Sequence, residues 1–164
     1  MPSFVEAYLD IETTGLSPWY NDVTVVGLCV VRSEQIEFVQ FVGGDITASS
    51  ILEALDDVMI LYTYNGSRFD LPFLKIRLGL DLVEYFTHHD LMYDCWQCNL
   101  YGGLKSVEKQ LGIERKLPEV NGFDAVKLWW QYLDLFDLES LDRLLEYNRE
   151  DTLNLKILKE RLLR

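Results

Sequence analysis

Phe4-Val5-Glu6-Ala7-Tyr8-Leu9-Asp10-Ile11-Glu12-Thr13-Thr14-Gly15 is an apolar, β-prone run that ends on two acids two positions apart. Residues 4–11 read as a buried first strand. Side chains at i and i+2 of a strand share a face. Asp10 and Glu12 would therefore place two carboxylates side by side at the end of a core strand. Such a pair repels itself and resists desolvation unless a cation lies between the two groups. The alternative is that the strand has already ended at Thr13-Thr14-Gly15 and both acids point into water. The pair alone does not choose.

Outward from this run, residues 23–31 are dense in β-branched side chains and residues 36–42 alternate, closing at Gly43-Gly44. The three segments read as an antiparallel meander. The period then changes. Ser49 or Ser50 can cap a helix running to about Asp57. Residues 58–64 read as a fourth strand, broken by Asn65-Gly66. A helix with apolar Leu71, Phe73, Leu74, Ile76 and Leu78 follows and stops at Gly79. Residues 85–90 give a short fifth strand. Helices are expected over 104–111, over 123–132 and from an Asp137 cap to about Leu163, the last with an open question of a break near Asn148. This order gives an α/β sandwich with a mixed five-stranded sheet flanked by helices. Without linker, repeat or composition break, residues 1–164 form one domain.

Composition sets limits on function. A hydrophobic fraction of 49% and a charged fraction of 26% fit an ordinary globular chain. No apolar run reaches bilayer-spanning length. Residues 1–6 lack the basic and apolar regions of a secretory signal, so a cytoplasmic location without membrane contact is expected. The three cysteines, Cys29, Cys95 and Cys98, are too few and odd in number for a disulfide framework. Cys95-Trp96-Gln97-Cys98 lacks a second ligand pair for zinc and reads as two ordinary thiols. The net charge of −12 argues against nucleic-acid binding by bulk charge. It leaves room for a local site whose acids are neutralised by bound cations.

Two further stretches hold acids in suggestive places. Asp70 lies in Tyr64-Asn65-Gly66-Ser67-Arg68-Phe69-Asp70-Leu71-Pro72-Phe73-Leu74, two residues before a proline at a helix start. An ordinary N-cap role explains it equally well. Tyr147 and Asp151, in Tyr147-Asn148-Arg149-Glu150-Asp151, are four apart and share a helix face. A half-buried tyrosine beside a solvated acid would look the same.

Taken together, Asp-Ile-Glu-Thr-Thr-Gly-Leu, Asn-Gly-x-x-Phe-Asp-x-Pro-Phe-Leu and Tyr-Asn-x-x-Asp resemble the three exonuclease motifs of the DEDD superfamily, in the same chain order. The resemblance covers roughly residues 4–160. Tyrosine four positions before the last Asp is similar to the DEDDy branch, which includes the proofreading domains of family B polymerases. The DEDDh branch has His five before that Asp, where this chain has Glu146. Residues 103–113 and 121–126 look most like stand-alone YprB-like exonucleases. The fold implied is an RNase H-like three-layer sandwich.

The resemblance implies a metal-dependent 3′–5′ exonuclease acting on the 3′ end of single-stranded DNA or RNA and releasing nucleoside 5′-monophosphates. Asp10, Glu12, Asp70 and Asp151 would hold two divalent cations. Oxygen-only ligands favour Mg²⁺ or Mn²⁺, and His88 and His89 are left as strand-flanking residues. Tyr147 would orient the attacking water rather than remove its proton, because a phenol is protonated at neutral pH. Thr13, Thr14 and Leu16 would meet the terminal nucleotide. Asn65 and Phe69 are further candidates, although Phe69 suits a core ring as well. Lys105 would contact a phosphate. A helicase or polymerase partner fits such a domain. The other readings are a non-catalytic binding module working with such a partner and an endonuclease on the same sheet. Trp129-Trp130 fills the core on one face, and an exposed Trp there would mark a partner surface.

Overall fold

The computed structural model describes residues 4–163. The first three residues, on which the expected lack of a signal segment partly rests, lie outside the described residues. Strand β1 (Glu6–Thr13) pairs antiparallel with β2 (Val23–Arg32), which pairs antiparallel with β3 (Gln35–Val42). On the other side β1 takes β4 (Ile60–Thr63) in parallel, and β4 takes β5 (Thr87–Asp90) in parallel. The sheet order is β3-β2-β1-β4-β5, which places β1 at the centre. The meander and the mixed five-stranded sheet are as the sequence predicts.

Alternation along β1 sorts its side chains into two layers. Ala7, Leu9 and Ile11 enter a core with α1 (Ala48–Ala54) and α2 (Asp70–Leu78), through Ile51, Leu71, Phe73 and Leu74. Tyr8 faces the opposite way, into a core with α3 (Leu91–Gln97), α4 (Leu104–Gln110) and α6 (Leu138–Leu162), through Cys95, Val107, Leu155 and Leu158. Period 2 places Asp10 and Glu12 on the Tyr8 side, toward α6. A third cluster joins Val25 to α5 (Gly122–Leu135) and α6 through Ala125, Trp129 and Leu144.

Several boundaries differ from the sequence reading. Thr47, not Ser49 or Ser50, caps α1 by accepting from Ser50 N, and that helix ends before Asp57, which takes a φ of +63°. The fifth strand is confined to the four residues that pair with β4, and a 3₁₀ turn at Leu82–Glu84 occupies the approach to it. Helix α3 follows β5 with no intervening loop, because Asp90 ends the strand and caps the helix by accepting from Met92 N. Helix α6 runs unbroken through Asn148.

That continuity matters where α6 crosses the sheet. Gly27 is opposite Asp10 in the β1–β2 register. A Cβ on Gly27 would stand 2.3 Å from Asn148 Oδ1 and 2.4 Å from Thr152 Oγ1. Helix and strand therefore touch there because no side chain intervenes. Asn148 Nδ2 uses this approach to donate to the backbone oxygen of Asp10 at 3.2 Å and to its Oδ2 at 3.1 Å. Gly27→Ala should push α6 off the sheet and cost about 1–3 kcal/mol, read as a lower urea midpoint. A midpoint equal to that of the native chain would mean that the contact yields freely.

Candidate active site

The lift of α6 onto β1 brings three acids from distant parts of the chain together. Asp10 and Glu12 stand on the same face of β1. Asp151 lies nearly one turn beyond Asn148 on α6. One carboxylate oxygen from each of the three can be chosen so that all lie within 4.8 Å of one another. Glu12 and Asp151 are buried and Asp10 is half-buried. Glu12 Oε1 is fully enclosed and has no hydrogen-bond partner. An enclosed carboxylate oxygen without a donor is costly. A divalent cation would meet that need, and three oxygen donors at this spacing suit a hard ion. The alternative in which both acids point into water is excluded for Glu12.

Asp70 is buried at the first turn of α2, and its Oδ2 accepts from Ile11 N at 3.1 Å. It does not cap α2, since no side-chain cap bond is made there. It stands outside the three-acid group but adds to its electrostatics. Burial first, then Asp151, Glu12 and Asp70, raises the Asp10 carboxyl far above the usual range. Burial and then Asp151 do the same for Glu12. Burial raises Asp70 to about 7 and Asp151 to about 6.

Arg115 offsets part of this repulsion. Its side chain is 5% exposed. Its Nη1 donates to both oxygens of Glu108 at 2.9 and 2.8 Å, and its Nη2 donates to Asp151 Oδ1. Its Nε lies 3.7 Å from Glu150 Oε2 without a hydrogen bond. Glu150 in turn accepts from Lys116 N and, at 3.1 Å, from Leu117 N, which pins the loop carrying Arg115 to α6. Asn154 Nδ2 completes Glu108 at 3.0 Å.

Tyr147 packs with Val25, Val120, Ala125, Trp129 and Leu144 and is 6% exposed. Lys105 Nζ and the Arg115 guanidinium stand 5.2 and 5.6 Å from its ring centre. Burial, then Asp151, Glu12 and Asp10, pushes its phenol well above the ordinary value, so the hydroxyl keeps its proton.

A cleft of about 490 Å³ opens beside Glu12, lined by Thr13, Leu16, Phe69, Asn121 and Phe123 among others. Leu16 and Phe123 are 79% and 76% exposed, so two apolar side chains stand open to an incoming flat group. Phe69 both lines the cleft and packs on the core. Thr13 Oγ1 donates to Gly15 O at 2.6 Å and shapes the turn carrying Leu16. Thr14, Asn65 and Lys105 are not among the cleft's lining residues. Thr14 Oγ1 accepts from Asp22 N at 2.9 Å and lines a different cleft beside Trp129 and Trp130. Asn65 takes a φ of +59°, and its N–H donates to Asp90 Oδ1 at 2.7 Å. Lys105 Nζ reaches Pro118 O at 3.5 Å. His88 shares a 2.8 Å hydrogen bond with Thr63 Oγ1, and His89 pairs with Asp94. Trp129 is buried, whereas Trp130 is 46% exposed.

Arg115, Glu108, Asn148 and Phe123 escaped the sequence reading as site residues. Asn148 carried a weak signal, since it lies inside Tyr-Asn-x-x-Asp. Arg115 carried none, because its burial depends on the loop folded over it.

The RNase_H_2 family model, of the RNase_H superfamily, matches residues 7–163, and the chain belongs to this nuclease-like superfamily. The protein YprB of Bacillus subtilis (strain 168) is 29% identical over 163 residues, which cover 90% of this chain and 39% of YprB. Among solved structures, the family B DNA polymerase of the archaeon Pyrobaculum calidifontis superposes with a TM-score of 0.79 at 18% identity, over 99% of this chain and 25% of the polymerase. Brucella melitensis NrnC superposes with a TM-score of 0.61 at 21% identity, over 96% of this chain and 71% of NrnC. The chain thus spans well under half the length of YprB and of the polymerase.

Two outcomes follow from the site's electrostatics. Arg115→Met would leave Glu108 and Asp151 buried without their cation, so unfolding free energy should fall by about 3 kcal/mol or more. Glu108→Gln placed with it should restore part of the loss. A loss of a few tenths of a kcal/mol on denaturant titration would show that the guanidinium is dispensable. The second outcome concerns pH. Acids whose folded-state values are raised bind more protons folded than unfolded between about pH 4 and 7, so stability falls as pH rises through that window. The metal-free protein should melt at a higher temperature at pH 5.5 than at pH 7.5, with a smaller difference in Asp70→Asn. Equal melting temperatures would contradict the raised values.

Proposed function

We propose that this chain is a 3′–5′ exonuclease of the DEDDy type acting on single-stranded nucleic acid. The observation that carries this reading is the three-acid group, with its unpartnered Glu12 oxygen, at the edge of a cleft walled by Leu16, Phe69 and Phe123. Membership of a nuclease-like superfamily and the fold shared with a DNA polymerase support it.

Asp10, Glu12 and Asp151 would hold one divalent cation, and Asp10 with Asp70 a second, with Mg²⁺ or Mn²⁺ matching the all-oxygen donors. Such cations lower the pKa of water and stabilise charge on a leaving oxygen. Leu16, Phe69 and Phe123 grip the last base, which places the terminal phosphodiester over the acids. Thr13 fixes the Leu16 turn, and Lys105 beside Tyr147 offers charge to the phosphate. Water oxygen bonds to phosphorus and the bond to the 3′ oxygen of the penultimate nucleotide breaks. The attacking water gives up one proton to solvent, the leaving 3′ oxygen takes one from solvent, and a nucleoside 5′-monophosphate leaves. Tyr147 donates its retained proton in a hydrogen bond that orients the water. Asn148 holds Asp10 in place through the two contacts already described. A helicase or polymerase working beside the domain would present the strand end.

The test is incubation of 5′-labelled DNA and RNA strands of one sequence with Mn²⁺. A ladder shortening from the 3′ end is expected, with none in Asp10→Ala and no cutting of a circular strand. Cutting of the circle would make the protein an endonuclease, and an intact labelled strand would end the catalytic reading. Tyr147→Phe should lower kcat by about 10²-fold and leave the Mn²⁺ concentration for half-maximal rate unchanged. An unaltered kcat would remove tyrosine from the mechanism.

A further inference from the structure

Phe69 lines the cleft, and the residue before it opens a second surface. The Arg68 guanidinium carbon lies 5.6 Å from the ring centre of Trp96 and 6.0 Å from that of Tyr93. The two rings meet edge to face with centres 5.2 Å apart. Arg68 is exposed, Tyr93 is 38% exposed and Trp96 is half-buried. Among the described residues Arg32, Arg77, Arg115 and Arg143 each pair with a carboxylate, whereas Arg68, Arg149 and Arg161 pair with none; Arg149 lies over the single ring of Phe38, and Arg68 over two. In a chain of net charge −12, an arginine left without an acid and laid over two rings calls for an explanation.

One carboxylate holds this surface in register with the site. Asp90 accepts from Asn65 N at 2.7 Å, from Ser67 N at 3.1 Å and from Ser67 Oγ at 2.6 Å. It also accepts from Met92 N at 3.1 Å, capping the helix that carries Tyr93 and Trp96. The turn that supplies Arg68, Phe69 and Asp70 is thereby fixed to the two rings. Arg68 and Phe69 are consecutive, so their Cα atoms are about 3.8 Å apart. The platform thus joins the cleft through the backbone of one turn, Phe69 serving the cleft and Arg68 the rings.

We propose that Arg68, Tyr93 and Trp96 form a stacking platform for a single-stranded nucleic-acid segment, receiving a nucleotide on the 5′ side of the one held in the cleft. The proposal rests on the nuclease reading of that cleft. Aromatic faces take any base, and an arginine free of carboxylates adds stacking and a contact to phosphate. Local features of this kind supply the affinity that the acidic surface as a whole withholds.

Arg68→Glu and Tyr93→Ala test it, with Tyr93→Phe as the variant that keeps the ring. Fluorescence anisotropy of a labelled strand of about ten nucleotides, in EDTA so that no hydrolysis proceeds, should show affinity about tenfold lower in the first two and native in Tyr93→Phe. With Mn²⁺, KM for that strand should rise by a similar factor at constant kcat, while a dinucleotide is cut as by the native protein. Unchanged anisotropy in both Arg68→Glu and Tyr93→Ala, or an equal loss on the dinucleotide, would overturn the platform. A native protein that binds the strand through these residues and cuts nothing would retain the platform and overturn the nuclease reading instead.

Discussion

Carboxylates buried close together are the constraint on which this structure depends. Each resists losing water, and each raises the free energy of ionising the next. The chain tolerates them because neighbouring groups share the load. Arg115 neutralises Asp151 and Glu108, Asn148 donates to Asp10, and Ile11 N donates to Asp70. Among the described carboxylates Glu12 alone keeps an enclosed oxygen with no donor. An interior arranged for stability alone would have replaced that atom with carbon. A divalent cation would supply the partner that this oxygen lacks.

The fold is organised to create that spot. The central strand contributes two acids because its side chains alternate. The crossing helix contributes the third because Gly27 lets it descend onto the sheet. Glu150, beside Asp151 on the same helix turn, ties down the loop that delivers Arg115. Tyr147, one turn earlier, packs against α5 with its ring beside Arg115. Asp151, Asn148, Tyr147 and the Glu150 that anchors Arg115's loop all lie within five residues of one unbroken helix.

Much of this was legible in the sequence. The apolar, β-prone run at residues 4–11, the β-branched run at 23–31 and the i, i+4 pair at Tyr147 and Asp151 each report local geometry, and local geometry is what one-dimensional patterns encode. Helix α3 was not legible, because Asp90 serves both as the last strand residue and as the helix cap, leaving no loop to mark the change. The role of Arg115 was hidden for another reason. In sequence it is one of several cations among acids; in the fold it is enclosed by residues more than thirty positions away on α6 as well as by Glu108. Thr14 and Asn65 look like substrate contacts by motif, yet neither lines the cleft beside Glu12: Thr14 Oγ1 accepts from Asp22 N, and the Asn65 backbone N–H donates to Asp90.

The central claim, that these acids form one cation-binding centre, is tested most directly by isothermal titration of the metal-free protein with Mn²⁺ near pH 6.5, in two buffers of different ionisation heat. Acids raised by burial must release protons as the cation enters. The native chain should show saturable binding with measurable proton release, and Asp10→Ala should show neither. Binding that is absent in the native protein, or that survives unchanged in Asp10→Ala, would contradict it.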